Sequence, residues 1–164
     1  MDQAASIQRR VTTCGGRRKT QPTVRDGLTT TELLGEIGAY VAPSTPCRKG
    51  CSSCCHFTVT VSEIEMQYIE AHTKYKRLKQ ALPAEDFHGQ ACPFLKSNSC
   101  SIYSVRPFVC RRHHSLAPSS EWCAPEKSFA AEFPQLKSSE VETAFDALRV
   151  SSPVWDIRQV FRGP

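Results

Sequence analysis

Apolar residues in this chain recur at helical spacing in three stretches and alternate in one. Leu33, Leu34, Ile37, Tyr40 and Val41 share one face of a 3.6-residue period and predict a helix opening at Thr30 or Thr31. Pro43 and Pro46 end it. Phe57-Thr-Val-Thr-Val61 alternates and is rich in β-branched residues, which predicts a short extended segment. Ser62 and Glu65 then stand at capping-box spacing, and Ile64, Tyr68, His72, Tyr75, Leu78 and Leu82 predict a helix running to Pro83. Lys74, Lys76, Arg77 and Lys79 would meet the negative end of its dipole. Pro93 to Tyr103 predicts a small hairpin, or a strand followed by a helical turn, about a Lys-Ser-Asn-Ser turn. Arg106-Pro107 breaks regular structure, and Pro118, Pro125 and Pro134 keep 116–134 irregular. Ser139 and Glu142 repeat the capping spacing before a helix with Val141, Phe145 and Leu148 on its apolar face. Val154 to Phe161 predicts a last docking segment. The result is a mainly α fold with one or two short strands.

Between these elements lie the cysteines. Cys47-Arg-Lys-Gly-Cys-Ser-Ser-Cys-Cys-His56 places four thiols in nine residues, and Cys92, Cys100 and Cys110 follow. Thiolates two or three residues apart, carried on a Gly/Ser loop, converge readily on one ion. Nine cysteines in 164 residues need such an explanation. A disulfide framework is the rival. It is disfavoured by the odd number, by the adjacent Cys54-Cys55 and by an N-terminus without the apolar run of a secretory leader. The expectation is therefore a cytoplasmic protein, and no run approaches the roughly 20 apolar residues of a membrane span.

Charge modifies the picture only at one end. The net charge is +5, and residues 1–27 hold six basic and two acidic side chains, so the remainder is nearly neutral. Residues 1–27 read as a disordered basic tail with a spare thiol, Cys14. No aromatic residues interleave with its charges, so a solvated extension is favoured over a nucleic-acid surface. Residues 28–164 read as one small metal-stabilised, cysteine-rich domain with its motif core at 47–112. The sequence names no protein partner and no oligomeric state.

Seven thiols exceed one tetrahedral zinc site and fall short of two. Bridging thiolates, a histidine ligand (His56, His113 and His114 are nearest) or an uncoordinated cysteine must make up the difference. Iron–sulfur ligation uses the same donors. Cys47-x3-Cys51-x2-Cys54 has the spacing of radical S-adenosylmethionine enzymes, but only 110 residues follow Cys54, without the alternating strands and helices of a barrel. Arg106, Arg111 and Arg112 are read as neutralising a thiolate-rich site or recognising an anion, and Tyr103 as a hydroxyl donor to a ligand sulfur. No nucleophile with its base, phosphate loop or dinucleotide fingerprint is legible.

The cysteine loop, Cys92-Pro-Phe-Leu95, Cys100-Ser-Ile-Tyr103 and Arg106-Pro-x-x-Cys-Arg111 together resemble the bacterial zinc/iron-chelating cysteine-cluster family, the CxxCxxCC or YkgJ-like proteins. The resemblance covers Cys47 to about Arg112, with a first gap of three residues instead of two. It implies that Cys47, Cys51, Cys54, Cys55, Cys92, Cys100 and Cys110 are metal ligands and that the cofactor is zinc or iron, as the bare ion or in an iron–sulfur cluster. Three function classes follow: a metal-chelating protein, an iron–sulfur oxidoreductase or electron carrier, and an interaction or nucleic-acid-binding module with a structural zinc.

Overall fold

A computed structural model describes residues 24–127, 130, 132–149 and 152–163. Cys14 and most of the basic tail lie outside these residues; Val24 to Gly27, counted with that tail, begin the first helix. The fold is mainly α. Among the described residues are α1 (Val24–Val41), α2 (Glu63–His72), α3 (Phe108–Arg112), α4 (Ser139–Leu148) and α5 (Ile157–Val160). Four strands of two or three residues accompany them: β1 (Thr60–Ser62), β2 (Leu95–Lys96), β3 (Ser99–Cys100) and β4 (Val154–Asp156). β1 pairs antiparallel with β4, Val61 opposite Trp155. β2 and β3 form the expected hairpin. Its two loop residues, Ser97 and Asn98, both take positive φ (45° and 58°), the backbone that a two-residue hairpin turn demands.

Two apolar clusters hold these pieces together. The larger joins Val61, Met66, Ile69, Phe94, Ile102 and Phe161. Phe94 lies at its centre, with ring centroids 5.0 Å from Tyr75 and 5.3 Å from Phe161. The smaller sets Leu33 and Leu34 of α1 against Phe108, Val141 and Phe145, with Phe108 and Phe145 stacked at 4.0 Å. The predicted apolar face of α1 is buried as far as Ile37. Tyr40, in register with it, is 60% exposed because the cluster it would join ends at the level of Ile37.

The capping box at Ser62 and Glu65 forms as its spacing predicts. Glu65 Oε2 accepts from the Ser62 backbone N–H (2.8 Å) and hydroxyl (2.6 Å). The helix it opens is shorter than predicted, ending at His72 instead of Pro83. The Thr73 hydroxyl donates to the Ile69 carbonyl (2.7 Å) and accepts from the Tyr75 N–H (3.1 Å), a local substitute for helical bonding. Beyond it the chain becomes a strap. Leu78 and Leu82 donate backbone N–H groups to the carbonyls of Val160 and Gln159, both at 2.8 Å. Tertiary hydrogen bonds thus outcompete a sound helical pattern.

Of the basic residues after His72, Lys76 still reaches the negative end of α2, its Nζ donating to the Glu70 carbonyl at 2.8 Å. Arg77 instead folds back on α2, 2.7 Å from Glu63 and 2.8 Å from Glu70. The predicted cap at Ser139 is also corrected: α4 is preceded by Ser138, whose side chain makes no cap hydrogen bond, and Glu142 turns to Arg112 at 3.0 Å. Arg112 is thereby drawn away from the thiols.

Arg77 holds the Glu63 and Glu70 carboxyls below the usual carboxylate range by hydrogen bonding. Groups shifted down in the fold stabilise it above their unfolded pKa and lose that contribution as pH falls through the folded value. Arg77→Ala should lower the melting temperature by a few degrees near neutral pH, and the gap to the parent should close by about pH 3. Thermal melts of both proteins across that range check this.

Candidate metal centre

Local turns set each cysteine. The Cys51 N–H donates to the Arg48 carbonyl at 3.0 Å, and Gly50 supplies the left-handed residue of that turn (φ 94°). A 3-10 turn over Ser53–His56 follows, with the Cys55 N–H on the Ser52 carbonyl (2.9 Å). The Cys92 N–H reaches back to the Cys55 carbonyl at 2.8 Å, so the second cysteine segment is hydrogen-bonded onto the first. The β2–β3 hairpin then delivers Cys100. Cys110 rides on α3, whose opening N–H, on Phe108, is accepted by Glu65 Oε1 at 2.8 Å. Glu65 is thus shared between the starts of two helices. Burial pushes its carboxyl above the usual range, while those hydrogen bonds pull it back.

One buried ion pair joins these segments. Arg158 and Asp156, with side chains 7% and 5% exposed, meet at 3.0 Å. Asp156 also accepts from the Val59 N–H (2.8 Å) and from the Arg158 N–H (2.9 Å). The Arg158 guanidinium spreads over the carbonyls of Cys55 (3.2 Å), Phe57 (3.2 Å), Gln90 (2.6 Å) and Ala91 (3.3 Å). One planar fork therefore fixes the backbone beside Cys54-Cys55 and beside Cys92 together.

The eighth thiol near the site is one that spacing missed. Cys123 ends a 3-10 turn (Ser120–Cys123) that packs on the Ser53–His56 turn, where the Ser53 hydroxyl donates to the Ser120 carbonyl at 3.4 Å. Ser115 connects it to the first loop: its N–H donates to Cys47 Sγ at 3.3 Å, and its hydroxyl hydrogen-bonds the Cys123 side chain. Cys123 has no neighbour at ligand spacing in the sequence. The shortfall of seven thiols against two four-thiolate sites was the only signal for it.

The thiols feel one another in two groups that meet at Cys54. Cys47, Cys51 and Cys123 lie on one side, and Cys92, Cys100 and Cys110 on the other. Cys55 is hydrogen-bonded to Cys54. All eight cysteines among the described residues are free thiols, so the disulfide framework does not form there. Among the described residues, no three His, Cys, Asp or Glu side chains are arranged to hold one ion.

Burial sets their protonation. It pushes Cys92 up to about 11 and raises Cys47, Cys100 and Cys123. Cys110, on α3, is raised well above the ordinary value by the same cause. Cys54 is raised first by its hydrogen bond with Cys55 and then by burial. These are neutral thiols at pH 7, which only a cation would turn into thiolates. Burial also depresses His113 and His114, keeping both imidazoles in their ligand form. His113 Nε2 and His56 Nδ1 are buried without a hydrogen-bond partner. Soft sulfurs with neutral imidazoles beside them suit zinc or iron better than a hard cation.

A cavity of about 410 Å³ opens onto Cys47, Cys51, Cys54 and Cys110. Its far wall is α1 with the turn that follows it, which present Gly35, Gly38, Ala39 and Ala42 in place of large side chains. A Cβ on Gly38 would stand 3.0 Å from His114 Nε2, so a larger residue there would press on the imidazole. Arg106 stacks on the Tyr103 ring at 4.1 Å. Arg111 donates to the carbonyls of Arg106 and Ser104.

A family model described as "Putative zinc- or iron-chelating domain" (CxxCxxCC) matches residues 46–140, more than half of the chain. The match extends past the 47–112 motif core and takes in Cys123. No curated protein and no solved structure matches the chain.

Replacing Arg158 would leave a buried carboxylate and four carbonyls without their partner. Arg158→Met should cost about 3–5 kcal/mol, most of the margin of a small domain. Adding Asp156→Asn should recover part of it, because the stranded charge is then gone. Denaturant unfolding of the two variants measures both effects.

Proposed function

The chain belongs to the CxxCxxCC family of zinc- or iron-chelating domains, and from that premise we propose that it is a metal-binding protein whose eight clustered cysteines chelate zinc or iron. The observation that carries this reading is the convergence of separate cysteine segments on Cys54, fixed by the Arg158 fork and the Ser115 bridge. Cys47, Cys51 and Cys123 would serve one side of the site. Cys92, Cys100 and Cys110 would serve the other, with Cys54 and Cys55 between them. When bound, the metal supplies a strong charge that ionises the sulfurs and cross-links distant segments. The chain's own residues hold the backbone in place, keep water from the buried sulfurs and donate to Cys47 Sγ.

A second reading is an iron–sulfur centre serving electron transfer or an oxidoreductase reaction. The cavity on the thiols favours it, since a closed structural zinc has no use for access.

Metal and acid-labile sulfide content, measured on untagged protein purified anaerobically, test the reading. At least one zinc or iron per chain is expected, with sulfide only if the second reading holds. Cys54→Ser and Cys110→Ser should each lose at least half of the metal. Zinc added to the metal-free protein at pH 7 should release roughly one proton per ligating thiol, because the folded thiols carry their protons at that pH. Calorimetry in buffers of differing ionisation enthalpy reads that number. Full metal content in both variants, or no zinc or iron in the parent, would overturn the proposal.

A further inference from the structure

The cavity beside the thiols is lined by permanent cations. Four cations line it, Arg48, Lys49, Arg106 and Arg111, and no carboxylate does. Among the described residues none of the four has a carboxylate partner, whereas Arg77, Arg112, Arg149 and Arg158 all do. Arg106 Nε is buried with no hydrogen-bond partner at all. Arg111 spends Nε and one terminal nitrogen on backbone carbonyls, leaving Nη1 towards the α1 wall at Gly35. Two guanidinium groups in one half-buried wall repel each other unless an anion lies between or beside them.

The charges of these arginines and of the lysine are permanent, whereas the lining thiols are neutral until a cation ionises them. The volume, about 410 Å³, falls within the range of small-molecule sites. The small residues of α1 keep it open.

We propose that this cavity is a binding site for a small multivalent oxyanion of the carboxylate or phosphate class, gripped by the free faces of Arg106 and Arg111 with Arg48 and Lys49 at its mouth. The ligand sits beside the thiols and not on them. The site does not depend on which metal the thiols hold, so it goes beyond the chelation reading. Guanidinium forks favour planar or tetrahedral oxyanions through paired N–H donors, and a neutral ligand of the same size would leave the wall uncompensated.

The test is calorimetric titration of the full-length protein, as purified with its metal, with citrate and separately with inorganic phosphate. Saturable binding of at least one probe is expected, and the stronger of the two identifies the carboxylate or the phosphate branch. Arg106→Gln should weaken it about tenfold or more, while Arg106→Lys should retain part of it. Ala39→Trp fills the cavity from an exposed position of α1 while leaving every cation in the sequence, and should abolish binding at unchanged metal content. Arg112→Gln, whose parent side chain is paired with Glu142, should bind as the parent does. Binding that survives both Arg106→Gln and Ala39→Trp would be diffuse surface attraction and would overturn the proposal. So would failure of both probes to bind more tightly than about 1 mM. Metal content measured on the same samples separates loss of this site from loss of the thiol centre. Arg48→Gln with Lys49→Gln, both on the exposed loop, should weaken binding severalfold even if Arg106 variants fold poorly.

Discussion

The structure depends on a single buried guanidinium. Arg158 is charged, nearly inaccessible, and pointed at the backbone of the two segments that bring most of the cysteines. A buried ion pair is weak support for stability in general, because desolvation of both partners offsets their attraction. Here the remaining donors are spent on carbonyls that would otherwise be stranded, and Asp156 spends its own oxygens on Val59 and on the start of α5. The value of the arrangement lies in placement. It sets the Cys54-Cys55 turn and the Cys92 turn at fixed separation before any sulfur meets a ligand.

Around that fixture the thiols lie close enough to raise one another's ionisation cost and deep enough for burial to keep them protonated. Neutral thiols packed in a protein interior cost little; thiolates there would cost a great deal. The cluster is therefore strongly responsive to a cation, since ionisation of each sulfur awaits a compensating charge. The guanidinium groups of Arg106 and Arg111 bias the same balance from the opposite wall. Glu65 links this region to the core, since one carboxylate serves both the cap of α2 and the first N–H of the helix bearing Cys110.

Much of this was legible in the sequence where the signal was local. The Ser62–Glu65 cap, the Ser97-Asn98 turn, the apolar face of α1 and the mainly α character follow from short-range rules. The strap after His72 was not legible, because its pattern is helical and its hydrogen bonds go to residues some eighty positions away. Arg158 was invisible for the same reason: nothing near it in sequence marks it as the partner of Cys55 and Gln90. The motif cysteines stood out by spacing, and Cys123 did not, because only the packing of one short turn on another brings it to Cys47. Arg112 was read as part of the site from its place in the motif, yet Glu142 from a distant helix claims it. Local chemistry names the donors, and tertiary structure decides which of them meet.

X-ray absorption at the zinc or iron edge of the protein as purified bears most directly on the claim that these sulfurs hold the metal. The account predicts a first shell dominated by sulfur at about 2.3 Å. A shell dominated by nitrogen or oxygen at about 2.0–2.2 Å would contradict it, because the metal would then be held by groups other than the thiols gathered around Cys54.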